Sequence, residues 1–321
     1  MTKHYNSLSD FLKNKFGCKV FKVSLNAGFT CPNRDGTKGT GGCIYCKPES
    51  LLPLDYNPGI GIKEQLHHGI EYIRKRHKAE KFISYFQINT NTFAPVSELE
   101  RIYRQGIDHP DVVGMAVSTR PDCVDNRILD LLKRLSKEKF LWLELGLQSS
   151  HNKTLKLINR CHTAEDFTDA VKRAKQRDMP VCAHIILGLP EETKGDMLAT
   201  SSFLAGLGIW GIKLHHIHIH KGTKLEEMYK SGEFNILGLD EYADMAVEFL
   251  ERLPEDVVIH RLCGDTSRRF LIAPDWSVNK FVILERIHRF LEERNTFQGV
   301  KIEKYNYTPH PSLSPQGRGL R

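Results

Sequence analysis

Phe140-Leu-Trp-Leu-Glu-Leu-Gly146 and Val181-Cys-Ala-His-Ile-Ile-Leu187 are two short apolar runs separated by a helical pattern. That pattern starts near Asn152, breaks near Arg160 and resumes from Ala164 to Arg177. Strand, helix, strand at this spacing is a βαβ unit, whose two strands lie parallel. The same alternation extends in both directions. Upstream stand a strand at Lys81–Gln87, a helix at Val96–Gly106, a strand at Val112–Ser118 and a helix from Asp125 to Leu135. Downstream come a helix from Lys194 to Gly206 and a strand at Ile212–Ile219. With a first strand at Val20–Leu25 the count is six. Right-handed crossovers then curl the sheet, and six units fall short of the eight that close a (β/α)8 barrel. The expected fold is α/β: a partial (β/α)6 TIM-like barrel, open on one side.

After residue 221 the pattern changes. Thr223–Ser231, Asp240–Leu253 and Asn279–Arg294 read as helices and Val257–Leu262 as a last strand, giving a small C-terminal α+β cap over the open side. The expected division is an N-terminal extension (1–18), a core (19–225), the cap (226–305) and a tail (306–321). The tail is rich in proline, glycine and serine and has almost nothing to bury, so it is expected to be disordered.

The chain has 321 residues, 40% apolar and 26% charged, an ordinary globular composition. No apolar run approaches the roughly 20 residues needed to cross a bilayer, and the first residues lack the apolar core of a signal peptide. A reducing cytoplasm is the expected location, with the eight cysteines serving as metal ligands or buried thiols. A formal charge of +7 is compatible with a nucleic-acid partner. Basic residues gather at Ile73–Lys78, read as a solvated helix face, and among Arg252, Arg261, Arg268, Arg269, Lys280, Arg286 and Arg289.

Beyond the first strand lies Cys31-Pro-Asn-Arg-Asp-Gly-Thr-Lys-Gly-Thr-Gly-Gly-Cys43-Ile-Tyr-Cys46. Cys43 and Cys46 can reach one metal centre from a single turn, and the glycines let the chain bring Cys31 back to it. Three thiolates leave one iron of a [4Fe–4S] cluster open. The alternative is zinc, with His4, His67 or His68 as fourth ligand. Chemistry in such sheets collects at the carboxyl ends of the strands. Those ends carry Gln87–Thr92, Ser118–Asp122, Glu144 to Gln148, Gly188–Glu191 and His215, His216, His218 and His220. Together they imply a cofactor cavity. On the last strand His216, His218 and His220 share one face and His215 takes the other. Cys18, Cys123, Cys161, Cys182 and Cys263 form no CxxC pair; Cys123 and Cys161 are expected on loops at the cavity mouth, and Cys182 in the core.

Cysteine loop, strand-end motifs and six βα units together resemble the radical S-adenosylmethionine (SAM) superfamily over roughly residues 15 to 225. The branch with the Elongator catalytic subunit, the methylthiotransferases and oxygen-independent coproporphyrinogen oxidase is nearest, and the chain looks like the bacterial YhcC and YtqA type. Tyr45 matches the aromatic before the last cysteine. Glu144-Leu-Gly-Leu-Gln148, Ile158-Asn-Arg-Cys-His162 and Ile186-Leu-Gly-Leu-Pro-Glu191 resemble motifs of the fourth strand, the loop after it and the fifth strand. Two departures stand out: eleven residues separate Cys31 from Cys43, a spacing of the YhcC and YtqA type, and Gln87–Thr92 replaces the usual Gly-Gly-Glu.

The resemblance implies a [4Fe–4S] cluster on Cys31, Cys43 and Cys46, and SAM cleaved to a 5′-deoxyadenosyl radical. Tyr45, Gln148 and Arg160 would contact the cofactor, Arg160 at its carboxylate, with Glu144 or Gln148 at the ribose. A low-potential electron donor of flavodoxin or ferredoxin type would be a partner, no membrane would be involved, and a tRNA nucleoside is the first substrate expected. A small metabolite, a protein side chain, or a non-catalytic metal-binding role are the alternatives.

Overall fold

The computed structural model describes residues 4–51 and 59–302; the expected tail lies outside them. Helix α1 (Leu8–Phe16) starts where the Ser7 hydroxyl accepts from the Asp10 amide and stops at Gly17, in the left-handed region at φ 74°. Then follow β1 (Val20–Leu25), the cysteine loop, α2 (Ile62–His77), β2 (Lys81–Phe86), α3 (Val96–Ile107), β3 (Val112–Thr119) and α4 (Asn126–Leu135). Next come β4 (Phe140–Gln148), α5 (Asn152–Leu157), α6 (Ala164–Lys175), β5 (Val181–Leu187), α7 (Lys194–Leu207) and β6 (Gly211–His216). The C-terminal part adds β7 (Ile219–His220), α8 (Lys224–Lys230), α9 (Leu239–Leu250), β8 (Val258–Arg261), β9 (Leu271–Ala273) and α10 (Lys280–Glu293). Capping boxes Thr163/Asp166 and Thr193/Asp196 start α6 and α7. No helix among the described residues is long and apolar enough to cross a membrane.

Strands β1 to β6 pair in parallel in chain order, forming the expected curled half-barrel. Two expectations change. The strand assigned to the cap, β8, instead joins the main sheet as a seventh parallel strand beside β6. Its alternating residues explain why: Val258 packs inside with Trp142 and Trp210, whereas Ile259 packs outside against the helix layer. Only a place within the sheet buries both. The last histidine strand is also shorter than expected. It ends at His216, and Ile219–His220 leaves to pair antiparallel with β9.

The barrel interior is layered. At the amino ends of the strands, Ile83, Ala116, Trp142, Cys182 and Trp210 close against Leu8 and Leu12 of α1, which plugs that end. The N-terminal segment is held there by the Ile259 amide donating to Asn6 O at 2.7 Å and the Gln298 amide donating to His4 O at 2.9 Å. Above this apolar floor the interior turns polar, with Lys22, Glu144, His184 and Lys213 converging. The cysteine loop lies at the opposite, carboxyl end.

Candidate active site

The long gap between Cys31 and Cys43 is folded back on itself. The amides of Arg34 and Asp35 donate to Cys31 O, those of Lys38 and Gly39 to Pro32 O, and that of Gly42 to Asn33 O. Gly36, Gly41 and Gly42 have φ of 90°, 76° and 77°, conformations that glycine adopts without strain. The Cys46 amide donates to Cys43 O at 2.9 Å, the tight turn expected of CxxC. Ile44, between these cysteines, is buried with Leu155, Ile158 and Leu225.

The loop is also templated by residues 158–162. Asn159, at φ 52°, donates from Nδ2 to Gly42 O (2.8 Å) and Thr40 O (3.2 Å), and its own carbonyl accepts from Asn33 Nδ2 at 2.6 Å. The Ile44 amide donates to Ile158 O.

Cys31, Cys43 and Cys46 line one cavity of about 170 Å³. Its other walls come from the ends of β2 (Gln87, Asn89, Thr90), β3 (Ser118, Thr119, Arg120) and β4 (Gly146, Gln148), with His184 of β5, Tyr45 and Arg160. Gly188–Glu191 and the histidines after β6 are not among the lining residues. Larger clefts of about 710 and 410 Å³ lie elsewhere along α4 and hold no thiol. Among the described residues no group of three or more His, Cys, Asp or Glu side chains is placed to hold a single metal ion. The zinc candidates are engaged away from the cavity: His4 Nδ1 meets Thr296 O at 3.0 Å, and His67 and His68 lie together on α2, where His67 meets Glu71. The three thiols thus surround a space rather than a point.

Arg160 is buried with its guanidinium spread over this site. Nη1 lies 3.5 Å from Cys43 Sγ, Nη2 donates to Gly146 O at 2.8 Å, and Nε donates to His162 Nε2 at 2.9 Å. His162 can accept there because its Nδ1 donates to Thr163 O. Burial and the Arg160 charge push His162 down to about 3, keeping it neutral. Burial would raise the Cys43 thiol, but the Arg160 charge and hydrogen bond bring it below its ordinary value. Burial and the neighbouring Cys43 push Cys46 up to about 12. Gln148 sits at φ 77°, an unusual conformation for a side-chain-bearing residue, where the β4–β5 register slips. The slip turns the strand end and its amide toward the cysteines.

Glu144 lies outside the cavity lining, one layer deeper and wholly buried. Its carboxylate takes Lys213 Nζ at 2.7 Å, His184 Nε2 at 2.8 Å, Trp142 Nε1 at 3.1 Å and Lys22 Nζ at 3.4 Å. Strand alternation puts residues 144, 146 and 148 on one face, and the sequence motif gave no sign of which layer each would occupy. Burial opposes its charge, yet Lys213 and Lys22, together with the rings of His184 and His260, hold the Glu144 carboxyl well below the ordinary range. For Lys213, burial outweighs Glu144 and lowers the amine to about 7.

Arg120 was missed in the sequence because its strand end was read only as generally polar. It is almost fully buried, pairs with Asp122 at 3.0 Å and donates to Arg160 O at 2.9 Å. Among the described residues its Nη1 has no partner, nor has Thr90 Oγ1. Of the other cysteines, Cys161 is exposed beside Asn159, Cys123 is buried behind Asp122, and Cys182 is core. His216 packs outside the barrel on Tyr242 and Trp276, while His215 faces His184. The C-terminal basic group is largely neutralised: Arg252 pairs with Glu248, Lys280 with Asp265, Arg286 with Asp240 and Arg289 with Glu293.

Comparison with known proteins agrees with this architecture. The Radical SAM superfamily model matches residues 31–204, and the Radical_SAM C-terminal domain model matches 209–293. The chain is 39% identical to uncharacterized protein YtqA of Bacillus subtilis, over 92% of each chain. It is 24% identical to the tRNA uridine(34) acetyltransferase of Methanocaldococcus infernus, over 57% of this chain and 34% of that protein. The solved structure of Methanocaldococcus infernus Elp3 with an N-terminal deletion superposes with a TM-score of 0.66 at 19% identity, covering 87% of this chain and 64% of that one. A family match over more than half of the chain, and a relative aligned along nearly all of it, place this protein in the radical SAM superfamily.

Proposed function

We propose that the protein is a cytoplasmic radical SAM enzyme that modifies a tRNA nucleoside. The carrying observation is that three cysteines, an arginine with a buried nitrogen unpartnered among the described residues, and the ends of three adjacent strands line one cavity. The donor chemistry fits the group: three thiols for three irons of a [4Fe–4S] cluster, and donors for an amino-acid cofactor. When bound, the cluster and SAM supply one-electron cleavage of the sulfonium to a 5′-deoxyadenosyl radical. Arg160 and Arg120 Nη1 would hold the cofactor carboxylate through charge-assisted bonds. Gln148 would position the ribose, and Tyr45 and Thr90 would frame the cluster side. Glu144 would act beneath the cofactor through His184 rather than on it. A low-potential flavodoxin- or ferredoxin-like donor would supply the electron.

The tRNA substrate is supported by the name of the distant acetyltransferase relative, whose length this chain covers by only about a third. The neutralised C-terminal basic group adds nothing to it. Anaerobic iron–sulfide reconstitution is the test: the parent should gain the charge-transfer colour of thiolate-bound iron and release 5′-deoxyadenosine on reduction. Cys31→Ala, Cys43→Ala and Cys46→Ala should each lose both; a colourless parent with one tight zinc would end the enzyme reading. Nucleoside profiling of tRNA from a deletion strain tests the substrate, and an unchanged profile would remove tRNA from the proposal.

A further inference from the structure

The polar layer below the cofactor cavity holds more cations than it can pair. Lys22 and Lys213 both lean on the Tyr85 ring, at 4.7 and 4.5 Å from its centroid, and share Glu144. Arg261, at the end of β8, adds a third positive charge. Its Nη2 lies 2.7 and 2.8 Å from the two ring nitrogens of His215 and can satisfy one at most. Its Nε is buried without a partner among the described residues. Among the described residues no carboxylate lies against it: the nearby Asp265 turns outward to Lys280. The histidines do not change the balance, since burial holds His184 down to about 3 and His215 well below its ordinary value. Arg261 is part-buried, and its desolvated Nε–H goes uncompensated among the described residues.

The layer meets the cavity above at His184. His184 lines that cavity and donates its other contact to Glu144 at 2.8 Å, and its ring faces His215 at 5.8 Å. His184, His215 and Arg261 each keep some accessible surface, although Glu144 beneath them has none. Gly264 makes room for this wall: a Cβ there would stand 2.7 Å from His218 Cε1 and 3.4 Å from His215 Nδ1.

We propose that the cationic wall of Arg261, Lys213 and Lys22 holds an anionic group of the substrate, a phosphate or a carboxylate, beneath the cofactor. Arg261 is the anchor, because its Nε–H is buried and has no partner among the described residues. The two lysines add field strength, Lys213 below about pH 7 where its amine is charged, and stay fixed by Glu144 and Tyr85. This rests on the radical SAM reading only in taking the anion to belong to the substrate.

The test uses the full chain, with and without its cluster, titrated by calorimetry with inorganic phosphate and, separately, acetate, against chloride at equal ionic strength. The cluster-free chain should bind one of the two saturably, and which one tells phosphate from carboxylate. Arg261→Gln should weaken that binding at least about tenfold, while Arg261→Lys, which keeps the charge but lacks the Nε–H, should fall between Arg261→Gln and the parent. If Arg261→Gln does not fold, Lys22→Gln at a partly exposed side chain should still weaken binding severalfold. A parent that binds neither anion, or an Arg261→Gln chain that binds as well as the parent, overturns the proposal. Because the cluster-free arm needs no iron, failure to assemble a cluster or cleave SAM would refute the enzyme reading without deciding this one.

Discussion

Replacing Gly146 by alanine tests the cofactor site most directly. Gly146 lies on β4 with φ outside the left-handed region, so the backbone accepts an L side chain. A Cβ there would stand 2.5 Å from Arg160 Nη2 and 2.6 Å from Gln148 Nε2, well inside the ~3.5 Å optimum for packed atoms. Both side chains must withdraw. Arg160 then gives up its 2.8 Å bond to Gly146 O and its 3.5 Å contact with Cys43 Sγ. A hydrogen bond to a charged group is worth about 1.5–3 kcal/mol, so SAM should bind roughly 10- to 150-fold more weakly. Stability should fall by about 0.5–2.5 kcal/mol, the lost Arg160–Gly146 bond being offset in part because alanine restricts the unfolded chain. The assay is equilibrium binding of SAM to anaerobically reconstituted protein, with iron content and thermal unfolding measured on the same samples. Parental affinity, within about twofold, in a folded variant with full iron would refute the placement of Arg160 and Gln148 on the cofactor.

Other outcomes follow from individual residues. Glu144→Gln should destabilise by about 3–5 kcal/mol near pH 6, because Lys213 and Lys22 lose their shared carboxylate. The lowered Lys213 amine is protonated in both folded and unfolded parent below about pH 7, and only in the unfolded chain from there up to its ordinary value. The parent should therefore gain stability as pH rises through that window. The deficit of Glu144→Gln should shrink above pH 7, where the folded amine is neutral and needs no carboxylate; denaturant titrations at pH 6 and pH 9 check the sign. Gln148→Gly should raise stability by about 1 kcal/mol by relieving the φ of 77°, yet weaken SAM binding at least about tenfold; a thermal melt and the binding assay read both. Asn159→Ala should cost about 2–4 kcal/mol, from the left-handed backbone and two lost bonds to the cysteine loop. It should also lower iron content after reconstitution, and Asn159→Gly should restore the backbone share alone.

How far the site could be read before the fold was seen depended on the range of each interaction. The CxxC turn closes within four residues, so Cys43 and Cys46 were legible as a pair. The return of Cys31 follows from glycines at positive φ, and those too are written locally. The lacing of that loop by Asn159 and Asn33 joins segments more than a hundred residues apart, and nothing near either asparagine announces it. Arg120 was hidden for the same reason. A polar strand end is ordinary, and the unpartnered nitrogen exists only once Asp122, Arg160 O and the cavity surround the guanidinium.

Apolar period and helix spacing were enough to determine a parallel, curled sheet with its chemistry at the carboxyl ends, because both depend on neighbours a few residues away. Tertiary packing decided the rest. It moved Val258–Arg261 from a presumed cap into the barrel, since each face of that strand needed its own apolar partner. It broke the histidine strand after His216 and set Glu144 a layer below the cofactor. It also left Arg261 without a counter-charge among the described residues, because burial and charge balance depend on everything that encloses a residue and not on the residues beside it in the chain.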